Sequence, residues 1–179
     1  MIANFLLNRI GVTLDYSEIV ENLLFDALKE DNAPRGAHIT AENQLKLFEL
    51  PNSRKLLKAY MEAFPDNFSQ VFSRDVWKKL FELEDAEELW DLYIKKCSHT
   101  CCNEELENLL LENIRLTPAL KSYLKKERVL YFITSEDKFL SRPDAKEIVP
   151  YYISLVKEDG EPDEYLNNFI AAAQAKGVI

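Results

Sequence analysis

Cys97-Ser98-His99-Thr100-Cys101-Cys102 packs four thiol or imidazole groups into six residues. A structural zinc site takes four such ligands, usually as two pairs from separate segments. Here a second pair is absent, and His38 is the only other histidine. A nucleophilic cysteine would need His99 as its base, a third group to orient that base, and donors for an oxyanion. Nothing in the sequence signals the last two. The expected state is a helix-to-helix loop with small, partly buried cysteines, holding neither metal nor cofactor. Paired carboxylates such as Glu87-Glu88 and Glu104-Glu105 are plentiful. Acid–base work needs one of a pair buried with a shifted pKa, whereas these fall on solvated helix faces. Phosphate-cradling Gly-rich loops, H-E-x-x-H and G-x-S-x-G are all missing. The residues point away from an enzyme.

What recurs is a longer pattern. Lys46-Leu47-Phe48-Glu49-Leu50, closing on Leu56, Leu57 and Tyr60, returns 33 residues later as Lys79-Leu80-Phe81-Glu82-Leu83, closing on Leu89, Trp90 and Tyr93. A weaker copy keeps Leu110, Leu111, Glu112, Leu120 and Tyr123, and a fourth keeps Phe139, Leu140, Pro143, Ile148, Val149 and Tyr152. Self-similarity at this period marks a stacked array whose units cannot bury their apolar stripes alone. The columns Leu47/Leu80/Leu110/Phe139, Phe48/Phe81/Leu111/Leu140 and Leu57/Trp90/Leu120/Val149 are expected to pack between units. The tyrosine column Tyr60/Tyr93/Tyr123/Tyr152 is expected to be structural too, each hydroxyl reaching a backbone carbonyl of the next turn.

Composition agrees with a helical array. The chain has 179 residues, 47% of them hydrophobic, and only 4 glycines, so left-handed turns and hairpin loops are few. The fold expected is all-α: a right-handed-type solenoid of about four stacked hairpins in a single domain, 1–179. Residues 1–36 form an N-terminal cap, 40–157 the four repeats and 162–177 a C-terminal capping helix. The net charge of −9 argues against nucleic acid, which needs a clustered Lys/Arg footprint. Apolar runs are too short for a membrane span, and residues 1–11 lack the features of a secretory signal. With three cysteines no disulfide framework is indicated, and a cytoplasmic setting is expected.

In chain order, residues 2–10 read as a short helix stopped by Gly11. Asp15 and Glu18 read as the capping pair of a second helix with Ile19, Val20, Leu23, Leu24, Ala27 and Leu28 on its apolar face. Thr40 caps the first repeat helix, which carries Leu45, Phe48 and Leu47 inward and stops before Pro51. Asn52 or Ser53 starts its partner, with Leu56, Leu57, Tyr60 and Met61 on one stripe. Thr117-Pro118 reads as N-cap and N1, Pro150 as a kink, and Val129–Ile133 as a buried connector despite its strand propensity.

The stretch Leu47-Phe48-Glu49-Leu50-Pro51-Asn52 followed by Leu56-Leu57-Lys58-Ala59-Tyr60-Met61 resembles the tandem two-helix repeats of bacterial proteins built from "LFELPNA" units. The resemblance covers repeats one and two and fades over three and four. It implies a helical solenoid used for protein contact, with no catalytic role. The tetratricopeptide and ankyrin patterns are absent.

Positions that depart from the repeat are the candidate partner-binding residues. Trp77 stands where other units have Gln44 and Glu107, and tryptophan is enriched at interface hot spots; its alternative is packing on Phe68 and Phe72. On the second helices, Arg54/Glu87 and Lys58/Asp91/Lys121 vary in charge between units, as solenoids do where they present a binding surface. The function expected is a non-enzymatic protein-interaction module recognising a protein or peptide. The alternative is an acidic inhibitor or immunity-type protein that masks a basic enzyme surface.

Overall fold

The computed structural model describes residues 2–31, 39–63, 72–84, 86–96, 104–130, 133–158, 160 and 163–179. Among them the regular structure is eleven α-helices and one 3₁₀ turn, with no strand. The chain divides into two compact units, Met1–Cys101 and Cys102–Ile179. The division falls within the Cys97–Cys102 stretch, which lies outside the described residues.

The first unit holds α1 (Ile2–Arg9), α2 (Glu18–Asp31), α3 (Ala41–Glu49), α4 (Ser53–Glu62), α5 (Arg74–Phe81) and α6 (Ala86–Lys96). Neighbours in sequence pair as α1–α2, α3–α4 and α5–α6. First helices touch first helices along α1–α3–α5, and second helices touch second helices along α2–α4–α6. The pair α1–α2 therefore packs on α3–α4 as α3–α4 packs on α5–α6. Residues 1–36 lack the repeated sequence, yet α1 and α2 occupy the places of a hairpin.

The second unit holds α7 (Glu104–Glu112), the 3₁₀ turn Ile114–Leu116, α8 (Thr117–Glu127), α9 (Ile133–Leu140), α10 (Ala145–Lys157) and α11 (Glu164–Ala175). The same connectivity appears: α7–α8 and α9–α10 pair, α7 touches α9, and α8 touches α10. The last helix, α11, lies against α10, with Leu166, Phe169 and Ala173 buried.

Local chemistry explains the boundaries. Gly11, at φ 78°, ends α1 in the left-handed region that costs glycine least. The cap of α2 is Ser17, whose Oγ accepts from the Val20 amide at 3.4 Å; the expected Asp15 lies two residues too early. Thr40 caps α3 by accepting from the Asn43 amide at 3.3 Å. Asp163 caps α11 through the Leu166 amide at 2.8 Å, satisfying one of the orphan donors of a first turn. Thr117 is already helical, and the 3₁₀ turn before it makes Leu116 the boundary residue. Pro150 sits inside an unbroken α10.

The repeat columns form the core. Leu47, Leu80, Leu110 and Phe139 are buried, as are Leu57, Trp90, Leu120 and Val149. All four tyrosines of the column are buried as well. In α3 the inward residues differ from those expected. Leu47 is buried with the polar Asn43 and Gln44, whereas Leu45 and Phe48 are only half-buried. The buried face of α3 is thus centred on Asn43, Gln44 and Leu47.

Candidate interaction surface

Two tyrosines of the column are held by a side chain 16 residues upstream, on the first helix of the same hairpin. The Tyr123 hydroxyl donates to Glu107 Oε2 at 2.5 Å, and Gln44 Nε2 donates to the Tyr60 hydroxyl at 3.4 Å. Gln44 also donates to the Ile39 carbonyl at 3.4 Å. The Tyr123 hydroxyl thus donates to a side chain where a backbone carbonyl of the next turn is expected. Burial of a phenol penalises its anion, and the Tyr60 pKa is raised chiefly by desolvation.

Trp77 occupies the same position in the second hairpin. Its ring meets Tyr93 edge-on at 4.6 Å and packs on Phe72 at 5.0 Å, Trp90 at 5.5 Å and Phe81 at 6.1 Å. With 0% exposure, Trp77 is a core residue, so its proposed part in partner binding is corrected. Where the first and third hairpins place a hydrogen bond between their two helices, this one places an aromatic contact.

The remaining candidates lie on the second helices. Glu88 Oε2 accepts from Arg54 at 2.6 Å, and its Oε1 accepts from Lys58 at 2.5 Å, joining α4 to α6. These cations hold the Glu88 carboxyl below its ordinary range through two charge-assisted hydrogen bonds, Lys58 contributing most. Lys121 pairs with Glu147 at 2.6 Å across α8 and α10. Glu87 and Asp91 are exposed on α6. The geometry thus brings Arg54 and Lys58 together on one carboxylate, keeps Glu87 and Asp91 on the adjoining helix, and gives Lys121 its partner within the second unit. Charges that alternate between successive second helices become ion pairs linking neighbouring hairpins.

Two loop networks escaped the sequence reading. Glu21, on α2, accepts from Tyr16 at 2.8 Å, Asn52 at 2.9 Å and Lys55 at 3.4 Å. The Tyr16 hydroxyl also lies 2.9 Å from the Pro51 carbonyl. The Pro51-Asn52 turn, where Asn52 takes a φ of 58°, is therefore gripped by the preceding hairpin. In the second unit, Arg142 donates to the Leu110 and Leu111 carbonyls at 2.8 and 2.6 Å. It also donates to Thr117 Oγ1 at 2.9 Å and to both oxygens of Asp144 at 2.8 and 2.9 Å. This fork closes the C-terminus of α7 on the start of α8 and on the loop before α10. Burial acts to raise the Asp144 pKa, but hydrogen bonds from Arg142 and Thr117 leave it below its ordinary value. An arginine in a Ser-Arg-Pro-Asp loop carries no signal that separates it from a solvated one.

Among the described residues no group of three or more His, Cys, Asp or Glu side chains is placed to hold a metal. No described helix is long and apolar enough to cross a membrane. No family model matches the chain, and neither a curated protein nor a solved structure matches it.

Proposed function

We propose that the chain is a non-enzymatic helical-repeat module whose hairpins form solenoid segments of the LFELPN type, and that its second helices bind a protein or peptide. The observation that supports this reading is a contrast within each hairpin. The Leu, Leu/Trp and Tyr columns are buried in every unit, while the exposed second-helix positions change sign from Arg54 to Glu87 and from Lys58 to Asp91. A constant core with a variable outer face is the arrangement by which repeat proteins present recognition surfaces. The exposed carboxylates of α6, Glu87 and Asp91, are the part of the surface best suited to a basic partner.

The same acidic face supports a second reading, an inhibitor that covers a basic enzyme surface. Ionic strength separates the two, because an electrostatically steered inhibitor loses association rate steeply with added salt. The test is capture of partners by wild type and by a Glu87→Lys, Asp91→Lys variant with unchanged far-ultraviolet circular dichroism. A partner lost by the variant supports the surface; undiminished capture by the variant overturns it.

A further inference from the structure

The apolar face expected for α2 is split in the structure. Val20, Leu24, Ala27 and Leu28 are buried, but Ile19 is 74% exposed and Leu23 53% exposed. With Asp26 they form the i, i+4, i+7 stripe of one helix face. On α1, Ile2 and Phe5 are 56% and 58% exposed, and Arg9 follows four residues later with its guanidinium 5.5 Å from the Phe5 ring centre. Between the two helices Ile2, Leu6, Leu23, Asp26 and Ala27 line an open cavity of about 290 Å³. Ile2 and Leu23 thus flank one groove, and Phe5 and Ile19 are exposed on the same two helices, on the hairpin whose other contacts are with α3 and α4. The remaining exposed large apolar residues among those described, Val12, Ile114, Tyr165 and Ile179, are not part of such a groove. Scattered exposure of that kind is ordinary, but a contiguous patch is not.

We propose that the outer face of α1 and α2 is a self-association surface, occupied by the same face of a second copy of this chain. Charge and direction single out that occupant. The cavity sets Ile2 beside Asp26, so α1 and α2 run antiparallel, with Asp26 at one end of the patch and Arg9 at the other. A two-fold axis lying in the plane of the face and across the helices runs the two copies in opposite directions. Each Arg9 end then meets the Asp26 end of its mate, with Ile2, Phe5, Ile19 and Leu23 enclosed between them. Such a patch is complementary to itself, as an isologous interface requires. Direction matters because two copies with net charge −9 each repel and α2 also exposes Glu18; the antiparallel arrangement turns each Arg9 toward the Asp26 end of its mate.

The test is sedimentation equilibrium of the full chain over about 1 to 100 μM. Wild type is expected to approach twice the 20.8 kDa chain mass at the upper end. Phe5→Asp with Leu23→Asp, at exposed positions that leave the core intact, is expected to stay at the single-chain mass throughout. Arg9→Asp and Asp26→Arg are each expected to raise the dissociation constant about tenfold or more, and the double exchange to restore it. A wild type that remains monomeric overturns the proposal, as does a dimer that persists in the Phe5, Leu23 variant. A dimer abolished by that variant but weakened as much by the double charge exchange as by either single exchange overturns the antiparallel arrangement. The readout is mass alone, so it stands apart from capture of another protein through α6.

Discussion

Replacing Arg142 with methionine removes a buried cation that holds three segments of the second unit together. The guanidinium side chain is 2% exposed and that of Asp144 12%. Loss of the fork leaves the Leu110 and Leu111 carbonyls without its donors, and leaves a largely buried carboxylate without its cation. A hydrogen bond from a charged group contributes about 1.5–3 kcal/mol net, and breaking a buried ion pair by removing one partner costs about 3–5 kcal/mol. These estimates overlap because they count the same contacts, so the expected loss is about 3–4 kcal/mol, near the lower end because Asp144 keeps some water contact. Arg142→Lys should recover less than half of it, since an ammonium cannot reach two carbonyls and a carboxylate in one plane. In an Asp144→Asn background the loss should shrink by about 1–2 kcal/mol, the share due to the stranded carboxylate. Urea unfolding followed by far-ultraviolet circular dichroism measures wild type and the four variants. Tryptophan fluorescence reports the first unit separately, because both tryptophans, Trp77 and Trp90, lie there. A loss below about 1 kcal/mol for Arg142→Met, or one unchanged in the Asn background, would refute the reasoning.

Other consequences are as direct. Trp77→Ala should cost about 3–5 kcal/mol through the cavity left among Phe72, Phe81, Trp90 and Tyr93, read in the fluorescence transition of Trp90; a loss typical of a surface residue would contradict the core assignment. Tyr123→Phe should cost about 1–3 kcal/mol by removing the hydroxyl that donates to the buried Glu107 carboxyl, measured by urea unfolding. The pKa of Asp144 is depressed in the folded state, so its contribution is present above the ordinary carboxylate value of about 3.9 and is lost as pH falls through the lower folded value. Asp144→Asn should therefore flatten the acid limb of the stability profile and leave its dependence near neutrality unchanged.

Apolar spacing made the repeated core readable. Leu47, Leu80, Leu110 and Phe139 recur because the same contact recurs, and periodic burial leaves a periodic pattern. The same reasoning placed Ile19 and Leu23 inside, since a helix that is apolar on two adjoining faces looks like one broad core stripe; only the packing partner decides which side is covered. Trp77 shows the converse. A large aromatic at a position polar elsewhere suggests a surface contact, but position 77 is an interior site where Gln44 and Glu107 are themselves buried to meet a tyrosine. Gln44 and Glu107 thus read as solvated positions for want of their hydrogen-bond partner 16 residues away. Arg142 and Glu21 are hidden for the same reason, because charged side chains reveal their partners only once the chain is folded.

The most direct check on the proposed recognition role is a photo-crosslinking comparison between two sides of the same hairpins. A photoreactive residue is placed at Glu87 on α6, and separately at Glu49 and Glu82, which are exposed at the ends of the first helices α3 and α5. The account predicts one defined protein or peptide adduct from position 87 that is absent from positions 49 and 82 and is lost with Asp91→Lys. Equal adducts from all three positions, or none from position 87, would contradict it.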